Sequence, residues 1–498
     1  MTELLAGISA VADLSVVLAV VAGSMMGIIV GVLPGIGPGV AIAVLLPLTY
    51  GMNPLAGISA LLGIYCGAFY GGAVTSILIR TPGEASSIMT MFDGYPMARR
   101  GEAERALSIA FMSSFVGGMF SAICVALMAP WLAQFTSRFG ATEFAATAAL
   151  ALLCVAKAYK GQFAVSMMML GLGLFLGTIG IDQTSSEHRY TFGLTPLLTG
   201  VPLVPVIIGL FGVAQAMVLL STPPSTEKPE VIKAGINFKA FLEPFRYPAT
   251  LAKSVLLGTG IGILPAVGAA LSTSLAYFEA RRTSRKPEAF GKGSAEGIVA
   301  AEAANNSNSG GAMGTVLTLG IPGDAVTAII MGVFIVHGIY PGPQLFIEKP
   351  ELAYGIFGSL VSINLVIMGL LIVSTRYLVR LVHVQARILG VIIFALCFVG
   401  AYSVATSLYG VLIALVFGVL GWVCAWLRIP VIPMALGLVM GDFFEASLRQ
   451  TLNISNGSWL IFLQRPIAAC IVCLGLVIIL WPLLKKLLPR SKQPANQG

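Results

Sequence analysis

Long apolar blocks separated by short polar stretches dominate the pattern along this chain. The clearest cover residues 16–33, 106–132, 198–220, 356–375, 408–427 and 466–484. Each is close to the roughly 20 residues a helix needs to cross the hydrocarbon core of a bilayer. Unbroken blocks predict helices, which satisfy their own backbone in lipid. A transmembrane barrel would instead show alternating strands of about ten residues. The expected fold is an all-α polytopic membrane protein.

Composition sharpens this picture. The chain is 57% hydrophobic and only 10% charged, whereas an ordinary soluble domain carries about 25% charged residues. A soluble globule must clothe its outside with polar groups, and lipid removes that need. The 498 residues leave room for roughly 10–12 transmembrane helices plus loops. The net charge of +8 is gathered in a few loops. That pattern fits orientation in a membrane, where Lys and Arg stay cytoplasmic, and implies no nucleic-acid partner. Cys66, Cys124, Cys154, Cys397, Cys424, Cys470 and Cys473 all lie in apolar stretches and read as small buried hydrophobes, with no disulfide framework. Glu3 and Asp13 precede or open the first apolar block without any Lys or Arg, so the start does not read as a secretory signal, which begins basic.

The chain repeats itself. Gly31-Val32-Leu33-Pro34-Gly35-Ile36-Gly37-Pro38 resembles Gly262-Ile263-Leu264-Pro265-Ala266-Val267-Gly268-Ala269. Gly71-Gly72-Ala73 and Thr81-Pro82-Gly83-Glu84-Ala85 answer Gly310-Gly311-Ala312 and Ile321-Pro322-Gly323-Asp324-Ala325, and Tyr95-Pro96 answers Tyr340-Pro341. The order is the same in both halves. The Pro-rich, basic stretch 221–253 reads as a polar linker between a first repeat, 1–220, and a second, 254–498.

Charge suggests how the repeats are related. Loop 49–54 is uncharged, but its counterpart holds Arg281, Arg282, Arg285, Lys286 and Lys292. Arg99, Arg100 and Arg105 face a counterpart, 342–351, whose Lys349 stands between Glu348 and Glu351. Lys157 and Lys160 face an uncharged stretch near 401–407. Equivalent loops thus fall on opposite sides of the membrane, as in inverted-topology repeats. The N-terminus is expected outside and the basic tail, with Lys485, Lys486, Arg490 and Lys492, inside.

The glycine–proline elements carry the candidate chemistry. Pro34 and Pro265 break a helix, and Gly35, Gly37 and Gly268 let the chain turn. A break at membrane depth leaves N–H and C=O groups that attract anions and cations, which makes matched breaks in two halves a pointer to a binding site of broken or re-entrant helices. The plainer alternative is that Gly and Pro merely kink or pack the helices. Pro82-Gly83-Glu84 and Pro322-Gly323-Asp324 suit the tips of helical hairpins. Their acids read either as first-turn groups on a helix dipole or as ligands for a cation such as sodium. Arg80 reads as a snorkelling side chain or a partner for a solute carboxylate. Glu302 through Gly311, with Asn305, Asn306 and Asn308, supplies amides and hydroxyls suited to a carboxylated solute or sodium, unless the stretch is a solvated loop.

Nothing in the chain asks for a cofactor. No phosphate-binding loop is present. Asn308-Ser309-Gly310 lacks a histidine in recognisable relation to it, which argues against a membrane-embedded hydrolase. His188, His337 and His383 share no spacing.

Gly31 to Pro38, followed by Leu45-Leu46-Pro47-Leu48-Thr49-Tyr50-Gly51-Met52, resembles the signature of the TctA family, the large membrane subunit of tripartite tricarboxylate transporters. Asp93-Gly94-Tyr95-Pro96-Met97-Ala98-Arg99-Arg100-Gly101, Tyr190-Thr191-Phe192-Gly193, Asn305-Asn306 and Gly320-Ile321-Pro322-Gly323 look like further family segments. The likeness runs from about residue 15 to residue 466. It implies a permease of the bacterial cytoplasmic membrane. It also implies a small four-helix membrane partner, a periplasmic solute-binding protein, and uptake of organic acids such as citrate driven by a sodium or proton gradient. The expected substrate site comprises Gly31, Pro34, Gly35, Gly37, Pro38, Gly262, Pro265, Gly268, Asn305, Asn306, Pro82, Gly83, Pro322 and Gly323, with sodium near Glu84, Asp324 and Asn305. The rival readings are a passive organic-anion channel and an intramembrane enzyme.

Overall fold

The computed structural model describes residues 7, 9–136, 138–159, 161–182, 185–223, 235–264, 268–382 and 384–487. Pro265, Lys160, His383, much of the expected linker and the end of the basic tail lie outside them. Among the described residues the regular structure is helical apart from one two-residue strand pair, Gly180–Ile181 with His188–Arg189.

Local chemistry sets the helix ends. In α1 (Leu14–Val32), the Asp13 side chain accepts the Ser15 amide at 2.8 Å, which caps the first turn. The chain breaks over 33–37, where Gly35 is left-handed at φ +82°. It re-enters helix at α2 (Pro38–Leu45), with proline first. Helix α3 (Pro54–Ile79) is capped by Asn53 and ends at left-handed Arg80. After a 3-10 turn come α4 (Ile88–Arg99), α5 (Ala103–Thr136), α6 (Ala141–Ala158), α7 (Phe163–Gly177) and α8 (Leu203–Ser221), the last with a π-helical turn at Ile208–Val213. The second half repeats the order as α9 (Pro248–Gly262), α10 (Gly268–Thr283), α11 (Ala295–Leu319), α12 (Ala325–Val336), α13 (Pro350–Leu381), α14 (Ala386–Ala405), α15 (Leu408–Trp426) and α16 (Ile432–Ile454). Helix α17 (Pro466–Leu487) follows.

Among the described residues, 8 helices are long and apolar enough to cross a membrane: α1, α3, α5, α6, α8, α13, α14 and α15. Shorter apolar helices occupy Pro38–Thr49, Phe163–Gly177, Ala325–Val336 and Pro466–Leu480. The first and third of these follow the break in α1–α2 and the second Pro-Gly tip. Cys470 and Cys473 are exposed on α17 and Cys124 and Cys154 are half-buried, so the expectation that every cysteine is buried holds only for Cys66, Cys397 and Cys424.

Helix directions follow from the glycine contacts. Gly23, Gly27 and Gly31 of α1 lie on the carbonyls of Ala60, Ile64 and Ala68 of α3, where any Cβ would overlap. The numbers rise together, so α1 and α3 run the same way, and α2 carries the chain back between them. Gly258 and Gly262 of α9 meet Ala304 and Asn308 of α11 in the same sense. Such seams let backbones touch, the usual packing of small residues between membrane helices.

The halves then meet crosswise. The loop before α11 meets the end of α4: Asp93 Oδ1 accepts the amides of Gly291, Gly293 and Ser294 at 2.8, 2.9 and 2.8 Å, and Arg100 donates to the Lys292 carbonyl at 2.7 Å. At the other end of α11, His337 beyond α12 lies 3.4 Å from Thr49, in the loop before α3. Helix α11 therefore starts where the α3–α4 unit finishes, and equivalent units run in opposite directions. Near the ends of the halves the packing is exchanged, with α15 lying on α8 and α16 on α7.

Candidate functional site

The two breaks and the two Pro-Gly tips converge. Gly83 packs so tightly on the Gly31 carbonyl, Gly72 and Thr75 that a Cβ there would lie 2.5 Å from the Gly31 oxygen. Gly323 makes the matching contact, with the Gly262 oxygen at 2.5 Å and Ala312 behind it. Each tip thus rests on the end of the broken helix in its own half. The tips then reach across: the 3-10 turn Ala85–Ser87 packs against α10, and Gly39 of α2 meets Ile329 of α12.

The two acids differ. Asp324 caps α12: its Oδ1 accepts the Thr327 amide at 2.7 Å, and its own amide donates to Thr327 Oγ1 at 2.9 Å. The first-turn reading therefore holds for one of its oxygens. The other, Oδ2, accepts from Tyr65 of α3 at 2.5 Å. Glu84 is no cap. It makes no side-chain capping bond, and α4 begins only at Ile88. Its Oε2 is buried without a protein partner, as are the hydroxyls of Ser86 and Ser87 beside it. Asp324 and Glu302 are its charged neighbours.

Asn305 and Asn306 sit in the middle of α11, fully buried, so the stretch is not a solvated loop. Both side-chain atoms of Asn305 lack a protein partner, and so does Nδ2 of Asn306. Asn308 is half satisfied: its Oδ1 accepts from Ser272 of α10 at 2.8 Å, while Nδ2 has no partner. Buried amides are nearly always bonded, so this group of open donors and acceptors is unusual.

The predicted site residues divide into two classes. Gly31, Gly262, Gly83 and Gly323 are in backbone contact and position the elements. Pro82 and Pro322 lie in the tips, and Pro38 opens α2. Gly268 opens α10 at φ +72°, with Asp324 Cβ 3.9 Å from where its own Cβ would stand. Pro34 and Gly35 turn the first break, and the Gly35 carbonyl accepts from Gln215 of α8 at 2.5 Å. Around Gly37 a Cβ would meet nothing within 4 Å, and its φ of −75° needs no glycine. This residue borders open space. Pro265 lies outside the described residues. Arg80 is exposed, with its guanidinium 5.8 Å from the Tyr95 ring centroid. The sequence reading missed Tyr65, which no local motif marks. Among the described residues no group of three or more His, Cys, Asp and Glu side chains is arranged as a metal site.

The segments that carried the resemblance have physical roles here. Asp93 and Arg100 fasten α4 to the loop before α11. Tyr190, Phe192 and Gly193 are all left-handed, in a turn held to α16 by the ion pairs of Arg189 with Asp182 (2.7 Å) and Glu445 (2.9 Å), and of Arg449 with the same acids (2.9 and 2.7 Å).

An uncharacterized 52.8 kDa protein in the TAR-I ttuC' 3' region of Agrobacterium vitis is 35% identical over 453 residues, covering 91% of this chain and 89% of the relative. An uncharacterized protein in the TAR-II ttuC' 3' region of the same organism is 34% identical over 236 residues, covering 47% of this chain and 97% of the relative. No solved structure matches. The sequence model described as the tripartite tricarboxylate transporter TctA family matches residues 17–436. This chain belongs to the TctA family of tripartite tricarboxylate transporters.

Proposed function

We propose that this chain is the permease subunit of a tripartite secondary transporter in the bacterial cytoplasmic membrane. It imports a carboxylic acid, a tricarboxylate such as citrate or a related organic acid, together with Na⁺ or H⁺. It works with a small four-helix membrane subunit and a periplasmic solute-binding protein. Two inverted repeats, 1–220 and 254–498, flank the linker and place the site near mid-membrane.

The observation that carries this reading is the pair of acids Glu84 and Asp324 at the two tips: Glu84 Oε2 is buried without a partner, as are the hydroxyls of Ser86 and Ser87 next to it in the chain and both side-chain polar atoms of Asn305 on α11. Like charges in close proximity repel by a few kcal/mol, about 4 at 4 Å for an effective dielectric near 20. An anionic solute approaching ionised carboxylates needs that repulsion cancelled. A proton or sodium ion on the acids does so, which ties solute binding to cation binding. The amides of Asn305 and Asn306 then donate to the solute carboxylates, while hydroxyls and carboxylates hold the cation.

A passive organic-anion channel is the alternative, favoured by the open space beside Gly37. Reconstitution decides between them. Proteoliposomes holding the chain and its membrane partner, with the binding protein outside, are given labelled dicarboxylates and tricarboxylates under a sodium or pH gradient. Accumulation above the outside concentration is expected. Uptake that stops at equal concentrations under every gradient supports the channel instead.

A further inference from the structure

Glu302 lies on α11 where it meets α4 and α5. It is fully buried. Thr90 of α4 donates to its Oε1, and Ser114 of α5 donates to its Oε2 at 2.7 Å. Among the described residues no Lys or Arg acts on it; the titratable groups that it faces are Glu84, at the tip before α4, and Tyr70 of α3. One turn further along α11, the Asn306 Nδ2 is buried without a partner. An ionised carboxylate so placed has two hydroxyl donors and no counter-charge, which favours its neutral form.

We infer that Glu302 is a protonation site of the transport cycle, and that its exchangeable cation is a proton. Both carboxyl oxygens already touch hydroxyls, and beside them Gly117 of α5 lies so close to Ala303 that even a Cβ would overlap the backbone. An ion has no room between these partners, whereas a proton needs none. In this arrangement Glu302 carries the proton, and one of the two hydroxyls accepts from it instead of donating. When α4 or α5 parts from α11, water reaches the carboxyl, the O–H bond breaks, and the proton passes to that water, leaving the carboxylate. Return to the packed arrangement requires reprotonation. Three helices from both halves converge on this one group, so its protonation state biases how the halves fit.

The inference rests on the coupled-transport reading above. Its test uses the reconstituted chain with its partners. Glu302→Gln preserves shape and hydrogen bonding in a permanently neutral form. Exchange of labelled for unlabelled solute is expected to persist and to become independent of pH, while net uptake under a pH gradient falls by at least about tenfold. Net uptake that survives with the wild-type pH profile overturns the inference. If Glu302→Gln loses both activities, Ser114→Ala decides. Losing a donor to the charged form raises the carboxyl's proton affinity, so the pH profile of net uptake moves to higher pH; an unmoved profile overturns the inference. Wild-type accumulation driven by sodium and indifferent to a pH gradient also overturns it and leaves coupled transport standing. Absence of accumulation under any gradient overturns the coupled reading itself.

Discussion

Asp324 caps a helix with one oxygen and accepts a tyrosine hydroxyl with the other. Such a group cannot change partners without loosening both. Tyr65→Phe removes the donor from a buried acceptor, at about 1–3 kcal/mol. Titrating transport with the coupling cation should show a changed apparent affinity and unchanged amounts of protein in the membrane. The asparagines make a second test. A carboxylate or cation left one partner short loses about 1–3 kcal/mol. Asn305→Ala or Asn306→Ala should therefore weaken apparent solute or ion affinity by at least about tenfold, since 1.4 kcal/mol is a factor of ten. Unchanged affinity for both solute and ion in both variants sinks that role, and so does their disappearance from the membrane. The glycines sort by their surroundings. Gly37→Leu enters open space and should stop transport while leaving a well-folded protein on size-exclusion chromatography. Gly31→Leu meets the Ala68 backbone and should fail to fold.

Broken helices were readable in the sequence because Pro34, Gly37, Pro82 and Gly83 recur at matching places in the second half. Proline and glycine act through local sterics, which a sequence displays directly. The return direction of α2 and the partners of each helix were not readable. Apolar runs say that a helix is buried but give no address for what buries it, and Tyr65 looks like any other aromatic in such a run. Asn305 and Asn306, for which the sequence left a solvated loop open, lie inside α11. Small polar side chains are compatible with both settings, and only the packing of α3, α5 and α10 around that helix decides. The family segment at Asp93 joins the end of α4 to the start of α11. Asp93→Ala orphans three amides and the Tyr277 hydroxyl. A lowered unfolding temperature of the purified protein is expected, since each buried unmet group costs about 1–3 kcal/mol.

At the scale of the whole molecule, basic loops touch basic loops: Arg100 reaches the chain at Lys292 and Gly293. By the charge rule that end is expected in the cytoplasm. In a background without native cysteines, a cysteine within 49–54 should react with an impermeant thiol reagent from outside the cell, and one within 283–292 should not. Labelling of both from one side would remove the inverted arrangement. Delivery is the second question at this scale. Transport should collapse when the cognate periplasmic binding protein is withheld, and full-rate uptake without it would contradict the proposed partnership.

The exchanged packing near the ends of the halves has a consequence for biogenesis. Gly209 of α8 rests on Ala414 and Phe417 of α15, about two hundred residues further along the chain. At a synthesis rate of about 5–20 residues per second, α8 waits roughly 10–40 s in the bilayer before its partner emerges from the ribosome. Its mean hydropathy of 2.4 suits that wait, because lipid covers it in the meantime. A nascent chain stopped after the first half should accordingly insert but present the unfilled seat of α15, and become a substrate for membrane quality-control proteases until the second half is supplied.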